Sequence, residues 1–246
     1  MDKDITVILN GFRRPHRLEE QYNAVKSQSI APKEIMLWQN FHPDTFDKFP
    51  KNVIDNCTSA ICNKNLGVWM RFAFALQAKT NWVAIFDDDT IPGNKYFENV
   101  MNCMDKSPGI YGTRGVIFGK SGSYYDNQGI GWETSNPEIT KVDIIGHAWF
   151  FHREWLKSYW LELPPPQYMF LAAGEDITLS YAAQKHFGVS TYVPPHPKEN
   201  KDMWGSLKAC EYGIGKEAAS NNWIPSMNEY LQFVRRSGFK LINDAK

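Results

Sequence analysis

The sequence carries no surplus charge of either sign: its 246 residues hold 27 Lys and Arg against 27 Asp and Glu. Such a balance argues against general attraction to nucleic acid or to an anionic membrane surface. No apolar run is long enough to span a bilayer, and Met1-Asp-Lys-Asp leads straight into a strand-like segment without an apolar signal stretch. The expectation is a soluble, cytoplasmic protein, or one whose membrane anchor lies outside this chain. Cysteine is sparse. Cys57, Cys62, Cys103 and Cys210 match no zinc spacing, and a chain of this length needs no disulfide framework. Free thiols in a reducing compartment are expected, with a local Cys57–Cys62 bridge as the alternative. Internal repeats and low-complexity tracts are also missing. So is a glycine-rich, Lys/Arg-bearing loop after the first strand, which argues against a sugar nucleotidyltransferase.

What is present is strand and helix in alternation. Ile5 to Leu9 is apolar apart from Thr6, as a buried strand requires, and a helix is expected from about Pro15. Glu34 to Gln39 forms a second strand, and the polar, Pro-containing stretch 41–56 is mostly loop. Gly67 to Ala78 has helical spacing, with Val68, Phe72, Ala75 and Leu76 on one face. Val83 to Phe86 is the next strand. This order predicts an α/β fold with a mixed, mainly parallel sheet covered by helices. After Ser107 the character changes to Gly and aromatic residues. Short strands are expected at 115–118 and 142–145, an exposed loop at 119–125, and breaks at Pro164–Pro166 and Pro194–Pro197. Helices are expected at 175–185 and 228–236.

The most informative stretch is Trp82-Val-Ala-Ile-Phe-Asp-Asp-Asp-Thr-Ile-Pro-Gly93. An apolar strand delivers Asp87, Asp88 and Asp89 into a turn. Three adjacent carboxylates repel one another, and a divalent cation removes that cost; oxygen ligands at this density suit Mg²⁺ or Mn²⁺, ions that also hold phosphates. Ligands bind at the carboxyl ends of strands in open α/β sheets. The plain alternative is a solvated acidic turn capping the next helix. Two further motifs open helices: Asn65-Leu-Gly-Val-Trp-Met-Arg71 and Gly174-Glu-Asp-Ile-Thr178. Capping is the ordinary role for Glu175 and Asp176.

In this order the motifs resemble the GT-A fold nucleotide-sugar glycosyltransferases. The likeness is greatest to the exostosin-like glycosyltransferase domain, with the family-2-like group as second choice. The stretches that carry it are Phe86–Thr90, Ile145-Gly-His-Ala-Trp-Phe-Phe151, Glu175-Asp-Ile, Lys185-His-Phe-Gly188 and Met203-Trp204, and it covers most of the chain. It implies a Rossmann-like GT-A domain over 1–246, with a nucleotide-binding half at 1–106 and an acceptor half at 107–246. Asp87 and Asp88 would lie near the ribose and diphosphate. Asp89, with Asp87, would hold the metal. Asn10, Arg13 and Arg14 would hold base and ribose, and Asn65 and Arg71 the nucleotide or its phosphates.

Asp176 matches the acidic position near the reacting sugar. Glu175 shares this catalytic role but stands where the exostosin-like pattern has Asp. His196 is a candidate third metal contact, against an ordinary loop histidine. His147, Trp149 and Trp204 are candidates for the acceptor pocket, against core packing. Lys198, Lys201, Lys208 and Lys216 compete to steady the departing diphosphate. The regions 107–150 and 194–216 are expected to border the sugar site and to close over substrate.

The implied reaction is Mn²⁺- or Mg²⁺-dependent sugar transfer from a nucleoside diphosphate, UDP by preference, to a glycan hydroxyl, with retention favoured. Two rivals are a binding-only protein of the same fold and a glycoside hydrolase using the Glu175/Asp176 pair.

Overall fold

A computed structural model describes residues 3–207 and 222–245. The first half builds the parallel part of the sheet. β1 (Ile5–Gly11) pairs with β2 (Glu34–Gln39) on one side and β4 (Trp82–Phe86) on the other, and β2 pairs with β3 (Thr58–Ile61), all parallel. The sheet then turns mixed: β10 (Trp149–His152) runs antiparallel to β4 and to β5 (Gly109–Tyr111). β11 (Ser190–Val193) follows parallel to β5, and β8 (Thr140–Val142) closes the edge antiparallel to β11. The order is β3-β2-β1-β4-β10-β5-β11-β8. A second sheet, β7-β6-β9, contains β6 (Arg114–Phe118), β7 (Asn127–Gly131) and β9 (Ile144–Gly146).

Both faces of the large sheet are covered, so its central strands are near-continuous apolar runs rather than alternating ones. From β4, Trp82, Ala84 and Phe86 pack with α1 (Leu18–Lys26) and α4 (Tyr96–Met104), while Val83 and Ile85 pack with α3 (Met70–Phe74). α5 (Leu156–Leu161) and α6 (Glu175–Phe187) complete the second face. A third cluster joins α6, α7 (Ile224–Arg236) and the small sheet through Phe118, Ile177, Tyr230 and Leu231.

Three local readings change. The apolar run at 142–145 is two strands in two sheets. Asp143 marks the crossing: its carboxylate accepts the backbone N–H of Phe118 at 2.8 Å and of Ile242 at 2.7 Å, which pins the chain between them. The 67–78 segment is one α-helical turn and a half followed by a 3-10 turn at Ala75–Gln77, and Leu76 is exposed. The 41–56 stretch contains a short α2 (Lys51–Asp55). Cys57, Cys62 and Cys103 are free thiols; Cys210 lies outside the described residues. Among the described residues, no helix is long and apolar enough to cross a membrane.

Candidate active site

β1 and β4 end side by side, which brings Asn10 next to the acidic turn. The turn is pinned from α1: the amide of the fully buried Gln21 donates to the carbonyls of Asp87 at 2.5 Å and Thr90 at 2.8 Å. The three carboxylates then do different things. Asp88 Oδ2 accepts the backbone N–H groups of Arg13 at 2.7 Å and Arg14 at 3.1 Å, and its Oδ1 accepts Arg14 Nη1 at 2.7 Å. Asp88 therefore latches the loop after β1 onto the turn after β4. Asp87 Oδ1 accepts from Arg71 and, at 3.4 Å, from Asn10 Nδ2. Asp89 accepts the Thr90 hydroxyl at 3.1 Å.

His147 completes this group from the turn between β9 and β10. Its Nδ1 lies 3.3 Å from Asp87 Oδ2 and 3.9 Å from Asp89 Oδ1. One ligand atom each from Asp87, Asp89 and His147 falls within 4.8 Å of the others. Carboxylate oxygens suit Mg²⁺ and Mn²⁺, and the imidazole adds a borderline donor, so the set fits a divalent cation. Electrostatics favours one too. Burial pushes the Asp89 carboxyl up, and its neighbours Asp87 and Asp88 add to this against His147 and Arg14. Burial acts on Asp87 in the same direction, but Arg71 first, then His147 and Asn10, hold it below the usual range.

Arg71 connects the acidic turn to the start of α6. It is 3% exposed, donates from one Nη to Asp87 and from the other to Glu175 Oε1 at 2.6 Å, and lies 4.6 Å from the Trp149 ring centroid. α6 begins at Gly174, whose φ of 93° is open to glycine at little cost. That entry aims Glu175 and Asp176 at the cleft. Burial raises both carboxyls; at Glu175 the pull of Arg71 opposes it and Asp176 adds to it. Glu175 Oε2 and Arg71 Nε are buried without a partner among the described residues.

These groups line one cleft of about 580 Å³, within the ordinary range for small-molecule sites. Asn10, Arg13, Arg14, Asn65, Arg71, Asp87, Asp88, Asp89, His147, Trp149, Glu175 and Asp176 all border it. Asn65 also shapes its own turn, accepting from Asn40 at 2.8 Å and from the Gly67 N–H at 2.9 Å. Trp149 works chiefly as packing beneath Arg71, with its indole N–H on the Ile145 carbonyl at 2.9 Å.

His196 stands elsewhere. It is buried, and its two ring nitrogens face the carbonyls of Pro194 and Thr134, each at 2.9 Å, so neither is available to an ion. His147 occupies the position beside the triplet instead. Trp204 lies outside the cleft, in a T-shaped contact with the His196 ring and with Lys201 Nζ 3.2 Å from its ring centroid. Lys198 and Lys201 do not line the cleft; Lys208 and Lys216 lie outside the described residues, as does part of the 194–216 segment. Sequence reasoning missed Arg114, Tyr124 and Asn127 on the small sheet and its loop, which also line the cleft.

The fold is GT-A-like: an α/β domain with a largely parallel central sheet flanked by helices. No protein-family model and no curated protein matches the sequence. Among solved structures, the chain is similar to S. aureus TarS 1-349, with a TM-score of 0.52 and 14% identity, over 77% of this chain and 60% of that one. The same protein in complex with UDP gives a TM-score of 0.53 and 13% identity over the same shares. This chain thus spans about 60% of the length of those structures. At such identity the likeness concerns the fold.

Proposed function

We propose that this protein is a metal-dependent glycosyltransferase that moves a sugar from a nucleoside diphosphate, UDP by preference, to a hydroxyl of a glycan acceptor. The observation that carries the reading is the Asp87–Asp89–His147 group at the end of β4, in one cleft with the Glu175–Asp176 pair. The UDP complex of a protein of similar fold supports the choice of base. The order of the sequence motifs supports an exostosin-like placement and, with it, retention at the anomeric carbon.

The barrier to transfer lies in breaking the bond from the anomeric carbon to the diphosphate while negative charge grows on the leaving oxygen. Asp87, Asp89 and His147 would hold Mn²⁺ or Mg²⁺, which supplies Lewis-acid charge to that diphosphate. Asn10, Arg13 and Arg14 hold the nucleoside end of the cleft, and Asp88 fixes their loop. Asp176 stands where the sugar reacts. In a retaining reaction it flanks the positive sugar centre or orients the acceptor; in an inverting one it accepts the acceptor proton, a task that a carboxyl raised by burial performs well.

Calorimetric titration of UDP with Mn²⁺, and again in EDTA, tests the reading. Binding should require the metal and should weaken strongly in Asp89→Ala. Equal UDP affinity in EDTA would remove the metal bridge.

A further inference from the structure

The small sheet turns one face to the cleft. Register sets Arg114 opposite Gly131 and Gly146, and Val116 opposite Gly129 and Ile144, so these positions share a face by the two-residue period of strands. Arg114, Val116, Ile144 and Gly146 line the cleft accordingly. Gly129 is there to make room: a β-carbon on it would collide with the Arg114 guanidinium, which therefore lies across the bare backbone of β7. A β-carbon on Gly146 would meet nothing within 4 Å, so the surface beside the arginine is open.

Arg114 is half-buried, yet among the described residues no carboxylate or carbonyl partners it. Of the other arginines that line this cleft, Arg13 is exposed to water, while Arg14 is neutralised by Asp88 and Arg71 by Asp87 and Glu175. Burial pulls the Arg114 pKa below its ordinary value, opposed only by the Tyr124 phenol and Glu133. The carboxylates of α6 act instead on Tyr124, where Asp176 and Glu175 add to the effect of burial in raising the phenol. Tyr124 is thus within electrostatic reach of both the Glu175–Asp176 pair and Arg114. Asp87, Asp89 and His147 are not among the groups that act on the Arg114 guanidinium, although its backbone pairs with Gly146.

A half-buried cation that no hydrogen bond or ion pair holds gains when a ligand brings the opposite charge. We propose that Arg114 anchors an anion subsite at the acceptor end of the cleft, so that the acceptor carries a carboxylate or phosphate beside its reacting hydroxyl. The fork of a guanidinium matches either group through paired N–H donors. The assignment of this anion to an acceptor rests on the transferase reading; the subsite itself does not.

Calorimetric titration at low salt with methyl glucuronide, glycerol 3-phosphate and the neutral methyl glucoside, without UDP, tests the subsite. The wild-type protein should bind at least one anionic probe about tenfold more tightly than the glucoside, and Arg114→Gln should abolish the difference. Which anion is preferred separates a uronate-type carboxylate from a phosphate. Gly129→Val keeps the charge but fills the place of the guanidinium; it should give the same loss, and it serves if Arg114→Gln fails to fold. UDP with Mn²⁺ is titrated on the same samples. Unchanged UDP affinity in Arg114→Gln supports a site separate from the donor. A parallel loss of UDP affinity would make Arg114 a diphosphate contact and overturn the proposal, as would equal affinity of the wild type for all three probes. Anion preference without any UDP binding would support the subsite and remove the transferase reading beneath it.

Discussion

The His147 imidazole lies against the Trp132 indole with ring centroids 4.2 Å apart, and both residues hold left-handed backbone, at φ 56° and 68°. Ala148 follows at φ 48°. Such a conformation costs a non-glycine residue roughly 1–2 kcal/mol, and among the described residues these three are the non-glycine cases. Backbone bonds hold them together: the Trp132 N–H donates to the Thr113 carbonyl at 2.7 Å, and the Thr113 N–H donates to the His147 carbonyl at 3.0 Å. The strain thus gathers where an imidazole must be aimed at Asp87, and the indole fixes its plane.

Trp132→Ala should therefore weaken Mn²⁺ binding by about 10-fold to 100-fold, the scale of losing a group that orients a metal ligand. Titration of Mn²⁺ by electron paramagnetic resonance measures this directly. Wild-type affinity in the variant would show that the strained backbone alone positions His147.

Arg71 is the strut between the acidic turn and α6. Arg71→Met removes a buried cation that two carboxylates face and should destabilise the fold by about 3–5 kcal/mol, the usual cost of leaving a buried charge unpaired. Denaturant unfolding reads this out, and Glu175→Gln in the same chain should recover part of the loss. A loss under about 1 kcal/mol would mean that water reaches Asp87 and Glu175 freely.

Glu175 makes stability depend on pH in a definite direction. Burial foremost raises its carboxyl to about 7. A carboxyl whose folded pKa lies above its unfolded value contributes stability below the unfolded value and loses it as pH rises through the folded one. Between pH 5 and pH 8 the wild type should therefore lose about 1–3 kcal/mol relative to Glu175→Gln, whose amide stays neutral. Parallel stability curves for the two proteins across that range would contradict the argument.

The proposed role of Asp176 separates chemistry from donor binding. Its Oδ1 accepts the Ile177 N–H at 2.8 Å, and an amide oxygen can keep that bond. Asp176→Asn should retain fold and UDP–Mn²⁺ affinity while losing transfer by about 10²-fold or more. Single-turnover assay of transfer beside UDP titration makes the comparison. Near-normal turnover would leave Asp176 as a helix cap and turn attention to Glu175.

Local sequence determined much of this molecule. The apolar runs at β1 and β4 are buried on both faces, so they had to be central strands, and the polar residues that follow, Asn10 and the Asp87–Asp89 turn, had to emerge at the same sheet end. Gly174 before Glu175 likewise announces the start of α6, because glycine tolerates the left-handed entry that aims the acidic pair. Which histidine joins the acidic turn was not legible. His196 and His147 are each a lone histidine in a loop, and nothing within a few residues of either distinguishes a ring bonded to carbonyls from a ring facing carboxylates. That distinction comes from the small sheet, whose register brings Gly146 beside Arg114 and sends the chain through two left-handed residues, His147 and Ala148, before β10 enters the large sheet. Arg114 itself was invisible for the same reason. A strand residue announces which face it shares by its period of two, but only the packing of one sheet against another decides whether that face meets core, water or a cleft.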